Sequence, residues 1–400
     1  MFLRYQMSKN QLIGLCLVIS ILFIDMLLYS LIIPVTPFLM SKLQPSSTLM
    51  GILFSSYAIA LLVATPFLGP LSDRVGRKLP LVIGLAGVAL STVLFAYAET
   101  MWMLIAARFV QGIAAAATWT AALALLADLF PSTMRGTVMG MALTGISMGS
   151  LLGAPLGGWL LDLGGYMAPF LFAAALTVLC IIAVALLLSE PVRLQEKSSG
   201  TFSLLRNRSV LFIAGIVLLA ESVLTLLEPI LPVFLTEQLQ ATPTTIGLLF
   251  AVMTLAYGAV APLSGALSDR YNPKYLMLIG IGCLAASTPL IALSHTMWQQ
   301  TGAMILVGAS VGFTLSPTLS TLGSIVDTGE NNGAYGAAYA LFNMFHAVGM
   351  IIGPVLGGVL TDWLDIPMAI ITTSAMILIC GAMLFTLLKA EQHKKQYRKA

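Results

Sequence analysis

Charge is what this chain has least of. Its 400 residues include 19 Lys and Arg and 16 Asp and Glu, 9% of the total, where a soluble domain carries about 25%. Hydrophobic residues make up 58% and the mean hydropathy is +0.97, which excludes an ordinary water-soluble domain and places the chain among membrane proteins. Cysteine and histidine are scarce as well, at four and three residues. Cys16, Cys180, Cys283 and Cys380 all fall inside apolar runs without ligand spacing, so neither a disulfide framework nor a metal site is expected. Also missing are a phosphate loop, a nucleophile triad and any basic tract interleaved with aromatics. ATP drive, enzymatic chemistry, a bound cofactor and nucleic acid binding therefore have no support.

What is present is a series of long apolar runs. A helix needs about 20 residues to cross a core of about 30 Å. Twelve spans meet that length: 11–40, 49–71, 79–98, 101–126, 136–161, 167–188, 210–235, 245–267, 275–294, 299–326, 334–364 and 368–388. The runs are continuous rather than alternating, so strands of a membrane barrel are excluded. The expected class is an all-α membrane protein.

The basic residues orient it. Of the 19 Lys and Arg, 17 lie in the N-terminus, the loops that follow even-numbered spans, or the C-terminal tail. Lys42 lies on the other side and Arg108 lies within the fourth span. Both termini are then expected on the cytoplasmic face. The net charge of +3 follows from this topology. The tail from Lys389 to Lys399 reads as an anchor on anionic lipid of the bilayer. The N-terminus reads as an uncleaved first helix, since no small-residue cleavage site follows the charged start. The sequon at Asn207 falls on the cytoplasmic side. Short outer loops favour a bacterial inner (cell) membrane, and nothing requires more than a monomer.

The two halves repeat. GSLLGAPLGG at 149–158 returns as GMIIGPVLGG at 349–358, GPLSDR at 69–74 as GALSDR at 265–270, and Pro34 and Pro37 as Pro229 and Pro232. Matching motifs in one order imply six spans duplicated, a transporter of two bundles with its cargo site near the midplane. The expected divisions are an N-terminal bundle over 1–192, a linker over 193–209, and a C-terminal bundle with its basic tail over 210–400.

These motifs carry a resemblance. GPLSDRVGRK at 69–78 and LIAARFVQG at 104–112 resemble signatures of the major facilitator superfamily, and the glycine–proline run of the fifth span resembles that of its drug:proton antiporter branch. Within that branch, IDMLL at 24–28, LEPILP at 227–232, and GTVMG at 136–140 with Ala168, Pro169 and Phe170 are similar to the vesicular monoamine transporters. The resemblance implies twelve helices in two pseudo-symmetric six-helix bundles.

Four ionisable residues stand inside spans: Asp25, Arg108, Glu221 and Glu228. A charge at the bilayer centre costs about 3 kcal/mol on insertion scales and usually marks a transport path or proton relay. Three acids against one base point to cationic cargo, protons, or both. Asp25 lies roughly 21 Å into the first span, with Tyr29 on its face, a pairing of carboxylate and ring suited to an organic ammonium. Glu221 and Glu228 are two turns apart on one face, where two carboxyls in low dielectric cannot both stay ionised cheaply. Arg108 is either a counter-ion or a donor to backbone carbonyls. Tyr339, Asn343 and His346 share a face of the eleventh span, where a lone histidine more often packs than relays protons.

The resemblance assigns Asp25 to amine recognition, Glu228 to substrate and proton handling, and Arg108 to coupling. It is imperfect. Where the vesicular proteins carry a lysine in helix 2, this chain has Tyr57, and two of their aspartates fall at Leu315 and Asn343. Glu221 is a candidate substitute. Substrate binding is thus expected at Asp25, Glu228, Tyr29 and Asn343, and proton coupling at Asp25, Glu221, Glu228 and Arg108. Gly149, Gly153, Pro155 and Gly157 are expected to govern gating through close helix approach, and Asp73 and Arg74 to latch a loop with Asp128 as partner. Met26, Trp119, Phe313 and Phe342 read as adaptable pocket lining or as ordinary helix packing. The function these readings imply is proton-coupled export of lipophilic organic cations, drugs or aromatic monoamines. A neutral or anionic cargo on the same fold is the alternative.

Overall fold

The computed structural model describes residues 7–189, 207–268, 270–328 and 335–397. Among them the chain is helical throughout, without strands. The first span is not one helix. α1 (Lys9–Leu31) passes through a 3-10 turn (Ile33–Val35) into α2 (Thr36–Leu43), at the place where Pro34 and Pro37 each leave out a backbone amide. Pro229 and Pro232, at the same spacing in the second half, lie inside an unbroken helix.

The remaining helices are α3 (Ser47–Val75), α4 (Lys78–Ala96), α5 (Met101–Leu129), α6 (Ser132–Gly164), α7 (Met167–Leu187), α8 (Arg208–Leu239), α9 (Pro243–Ser268), α10 (Pro273–Ala292), α11 (Met297–Thr328), α12 (Tyr335–Leu364) and α13 (Ile366–Tyr397). Among the described residues, twelve stretches are long and apolar enough to cross a membrane. Several helices overrun their expected spans; α13 continues to Tyr397. Apolar length marks only the part that hydrocarbon surrounds, and a helix can go on in water. Starts are set by caps: Ser8 with Gln11 on α1, Thr100 on α5, Asn207 on α8 and Asn272 on α10.

Packing divides the chain into two compact units, Met1–Pro45, Ser56–Glu196 and Thr242–Leu248 in the first and Ser46–Ser55, Lys197–Ala241 and Leu249–Ala400 in the second. The start of α3 thus belongs to the second unit and the start of α9 to the first. In the first unit α1 packs on α6, α5 and α7, and α4 on α5 and α7. In the second, α8 packs on α12, α11 and α13, and α10 on α11 and α13. One arrangement has been built twice.

The tightest seam lies between α1 and α6. Gly145, Gly149, Gly153 and Gly157 rest against the carbonyl oxygens of Ile19, Phe23, Leu27 and Leu31, so that a Cβ at any of them would collide with backbone. Both rows advance four residues at a time, a stack of small residues that lets two backbones touch. Gly353 repeats the contact on the Ser222 carbonyl of α8. Hydroxyls stitch both seams: Ser30 Oγ donates to the Gly149 carbonyl at 3.4 Å and Thr225 Oγ1 to the Gly349 carbonyl at 3.3 Å.

Two acids add to the caps that Ser46 and Thr242 give the starts of α3 and α9. Asp362, near the end of α12, accepts from the amides of Ser47 and Thr48 and from the Thr48 hydroxyl, at 2.8, 2.9 and 2.6 Å. Asp162, near the end of α6, accepts from the amide and hydroxyl of Thr244. A carboxylate there satisfies otherwise unpaired amides and opposes the helix dipole.

At the loop between α3 and α4 the bridging cation is Arg77. It donates to Asp128 Oδ2 and to Asp73 Oδ1, each at 2.7 Å, and to Ser72 Oγ at 3.1 Å. Burial alone would lower the Arg77 guanidinium, but the bonds to Asp128 and Asp73 outweigh it and hold it above its ordinary range. The Asp128 side chain is 5% exposed and that of Asp73 67%, so the two bridges differ in weight.

Two expectations follow, both read from thermal unfolding in detergent. Gly149→Ala drives a methyl into α1 and should destabilise by about 1–3 kcal/mol. Gly140→Ala, with nothing within 4 Å, should be neutral or stabilising; equal losses would refute the seam. Asp128→Asn leaves Arg77 buried without its main partner and should cost about 3–5 kcal/mol. Asp73→Asn should cost under about 1 kcal/mol.

Candidate functional site

α1 carries Asp25 into the interior of the first unit, where the residue is 3% exposed. Its two oxygens are treated differently. Oδ2 accepts the Tyr57 hydroxyl of α3 at 2.6 Å and the Trp119 indole N–H of α5 at 2.7 Å. Oδ1 is buried and has no hydrogen-bond partner. The Tyr29 ring, one turn along α1, lies 5.3 Å from that of Tyr57.

Arg108 completes the cluster from α5. It is fully buried, and its guanidinium carbon stands 5.0 Å from the Tyr29 ring and 5.4 Å from the Tyr57 ring. Nη1 donates to Gln111 Oε1 at 3.0 Å, and Nη2 reaches the Tyr29 carbonyl at 3.5 Å. Both roles open to it from sequence are met in part: Nη2 donates to a backbone carbonyl, and the guanidinium acts electrostatically on Asp25. The rings spread its charge by cation–π contact. A carboxylate, three aromatic side chains and a guanidinium thus share one buried cluster, whose acid has the chemistry to pair with a cation and whose rings have the chemistry to pack on aromatic surface.

A second cluster belongs to the second unit. Glu221 on α8 is buried, and its Oε2 lies 3.1 Å from His346 Nδ1 on α12, an ion-pair distance without hydrogen-bond alignment. The His346 ring stacks on Phe342 at 6.2 Å, and Tyr257 of α9 is an electrostatic neighbour of Glu221. Gly349 rests against the Glu221 side chain, so the glycine seam also shapes this acid's berth. Glu228 is half-buried on α8, two turns or about 10 Å along the axis from Glu221. Asn343 is exposed, and the side chain of Tyr339 lies outside the described residues.

The structure therefore gathers Asp25, Tyr29 and Arg108 in one unit and sets Glu221, Glu228 and Asn343 in the other. Gly149, Gly153 and Gly157 line the α1 seam, and Pro155 faces Gly247 beside it. Asp73 and Asp128 meet through Arg77, while Arg74 is exposed. Among the described residues no cluster of His, Cys, Asp and Glu could hold a metal.

Sequence reasoning passed over three residues. Tyr57 entered only as the replacement of a lysine, though a phenol still offers a donor. Trp119 was one of several greasy positions, yet it lies eleven residues after Arg108 and so on the same helix face. It also stands apart from Trp102, Trp159, Trp298 and Trp363, which are exposed near span ends as in an interfacial belt. Arg77 was hidden behind its neighbour Arg74, since a loop motif does not say which base turns inward.

Comparison with known proteins agrees with this architecture. The sequence matches the Major Facilitator Superfamily over residues 18–226 and again over 212–400. It is 30% identical over 349 residues to the chromaffin granule amine transporter of Homo sapiens, covering 86% of this chain and 66% of that one. It is 32% identical over 364 residues to multidrug resistance protein 1 of Bacillus subtilis (strain 168), covering 89% and 91%. The chain thus spans just under two thirds of the amine transporter's length. Among solved structures, a bacterial homologue of the human lysosomal transporter Spinster superposes with a TM-score of 0.85 at 14% identity, over 96% of this chain and 98% of that one, a likeness of fold. A family match over both halves, on twelve membrane-length helices among the described residues, makes this chain a member of the major facilitator superfamily and a multi-pass membrane protein.

Proposed function

We propose that the protein is a proton-coupled antiporter that exports lipophilic organic cations, among them aromatic amines and drugs, by alternating access. One observation carries the reading: Asp25 Oδ1 is buried, lacks a hydrogen-bond partner and belongs to a carboxylate set among Tyr29, Tyr57 and Trp119. A buried acceptor left open is expensive unless something fills it. A proton fills it, and so does the ammonium of an aromatic amine whose ring packs on the tyrosines. Similarity to an amine transporter and to a multidrug resistance protein supports the same class of cargo.

Exchange follows from competition. Cargo and proton cannot both neutralise one carboxylate, and each shifts the conformational balance only by its differential affinity for the two states. Deprotonated acids bind cation on the cytoplasmic side, and protonated acids release it outside. Glu221 and Glu228 serve as further carriers, with His346 as a base at Glu221. Topology of the basic residues supports a bacterial inner membrane with both termini cytoplasmic. Halves at 1–192 and 210–400, joined through 193–209, move as the two bundles of a monomer. The alternative of an anionic cargo would draw on Arg108, whose guanidinium is already engaged by Gln111 and by two rings.

Purified protein in proteoliposomes with an imposed pH gradient tests this. A permeant aromatic ammonium should dissipate the gradient through the wild-type protein, and Asp25→Asn should reduce that flux by about 100-fold or more. Glu228→Gln should impair it less. Cation movement that leaves the gradient untouched would overturn the coupling, and transport by Asp25→Asn at the wild-type rate would overturn the site.

A further inference from the structure

The unequal oxygens of Asp25 carry a consequence for how cargo and proton exclude each other. An sp2 carboxylate oxygen has two in-plane lone pairs, and on Oδ2 both are taken, by the Tyr57 hydroxyl at 2.6 Å and the Trp119 indole at 2.7 Å. The indole N–H can only donate, so it can never turn to offer Asp25 an acceptor. Tyr57 is 1% exposed and held in place: its backbone carbonyl meets Gly112 of α5, and its ring packs against both the Tyr29 ring and the Arg108 guanidinium. The donors come from α3 and α5 and the acid from α1, so three helices fix the rotation of one carboxylate.

We infer that Tyr57 and Trp119 are positioning residues that occupy Oδ2 and leave Oδ1 as the single atom for which a cationic cargo and a proton compete. The inference rests on the reading of Asp25 as the cation-binding acid. Without the two donors, a protonated Asp25 could keep its proton on one oxygen and accept an ammonium N–H on the other. Both guests would then sit together, and exclusion would be lost. With the donors in place a proton on Oδ1 removes the only acceptor the cargo can use. The favoured cargo is a primary to tertiary ammonium, which can point an N–H at that atom.

The groups around this carboxylate are few. Tyr29 lies on its own helix, Tyr57 on α3, and Arg108 on α5 acts on Asp25 electrostatically. α6 meets α1 through Gly149 and Gly153, and α7 carries no Asp, Glu, Lys, Arg or His.

The test is the pH dependence of binding, measured with phenethylammonium on the full-length protein between pH 6 and pH 8. For strict competition with one proton, the wild-type dissociation constant should rise by up to about 10-fold per pH unit on the acid side. Trp119→Phe keeps a ring and loses the donor, and should reduce that rise to about 3-fold or less, with the Tyr57→Phe/Trp119→Phe double variant flatter still. Other acids contribute alike to all these proteins, so the difference isolates Asp25. Trp119 is half-buried, and its single variant carries the test if the double variant does not fold. A wild-type slope in folded Trp119→Phe, whatever its affinity, overturns the inference. Asp25→Asn separates the two ideas. If it binds like wild type, the reading of Asp25 itself has failed. If it loses binding while Trp119→Phe keeps the full slope, only the role of the donors has failed.

Discussion

A carboxylate that water cannot reach must be satisfied by the protein or by a guest, and the first unit is arranged around that requirement at Asp25. Placing a charge at this depth costs about 3 kcal/mol or more before any compensation. The compensation here is partial by construction. Two donors serve one oxygen, and a guanidinium stands nearby with its charge spread over two rings. These partners stay put only because the helices around them are locked. The α1–α6 seam fixes α1 from Ile19 to Leu31, and the Gly112 contact with the Tyr57 carbonyl sets α3 against α5. Small residues with no chemistry of their own thereby decide where an acid's hydrogen bonds fall.

The repeat shows which parts of this arrangement are scaffold and which are free to differ. Gly112 against the Tyr57 carbonyl returns, 200 residues on, as Gly312 against the Tyr257 carbonyl, and the caps at Asp162 and Asp362 keep the same offset. The acids break the rule. Asp25 and Glu221 are 196 apart in the chain, and their partners differ in kind. Asp25 is held by a phenol and an indole, donors that keep their protons across the physiological range. Glu221 faces the His346 imidazole, with Oε2 3.1 Å from Nδ1. One duplicated frame thus holds an acid met by two hydrogen-bond donors in the first unit and an acid met by a histidine in the second.

Much of this was legible in the chain before any coordinate. Twelve spans and the duplication follow from apolar run length and from the return of GSLLGAPLGG as GMIIGPVLGG, because hydrocarbon thickness and close helix approach leave little choice of residue. The split of the first span at Pro34 was less legible, since the same proline spacing at Pro229 leaves α8 whole. Buried ions were conspicuous one by one: Asp25, Arg108, Glu221. Their partners were not. Tyr57 pairs with Asp25 across 32 residues and Trp119 across 94, and such distances are set by helix packing that no local pattern encodes. His346 has the same history: a histidine among Phe and Met reads as packing until α12 is laid on α8.

The position of Tyr57 in α3 gives the anchor a mechanical side. α3 is one continuous helix, yet its residues up to Ser55 belong to the second unit and those from Ser56 to the first. Its start is pinned in the second unit by Asp362, and Ser55 Oγ donates to the Ile351 carbonyl of α12 at 2.8 Å. Tyr57 is the second residue past that junction. A helix is stiff, so a shift of the α3 backbone at Tyr57 itself reaches the Tyr57 hydroxyl almost whole. A hydrogen bond of 2.6 Å tolerates little of it, since such bonds weaken steeply once stretched or bent. The rotation of the Asp25 carboxylate and the placement of α3 are therefore mechanically one variable. In the transport reading, a guest that alters Oδ1 and a motion that moves α3 act on the same short bond, which is the kind of shared element that coupling between binding and conformation requires.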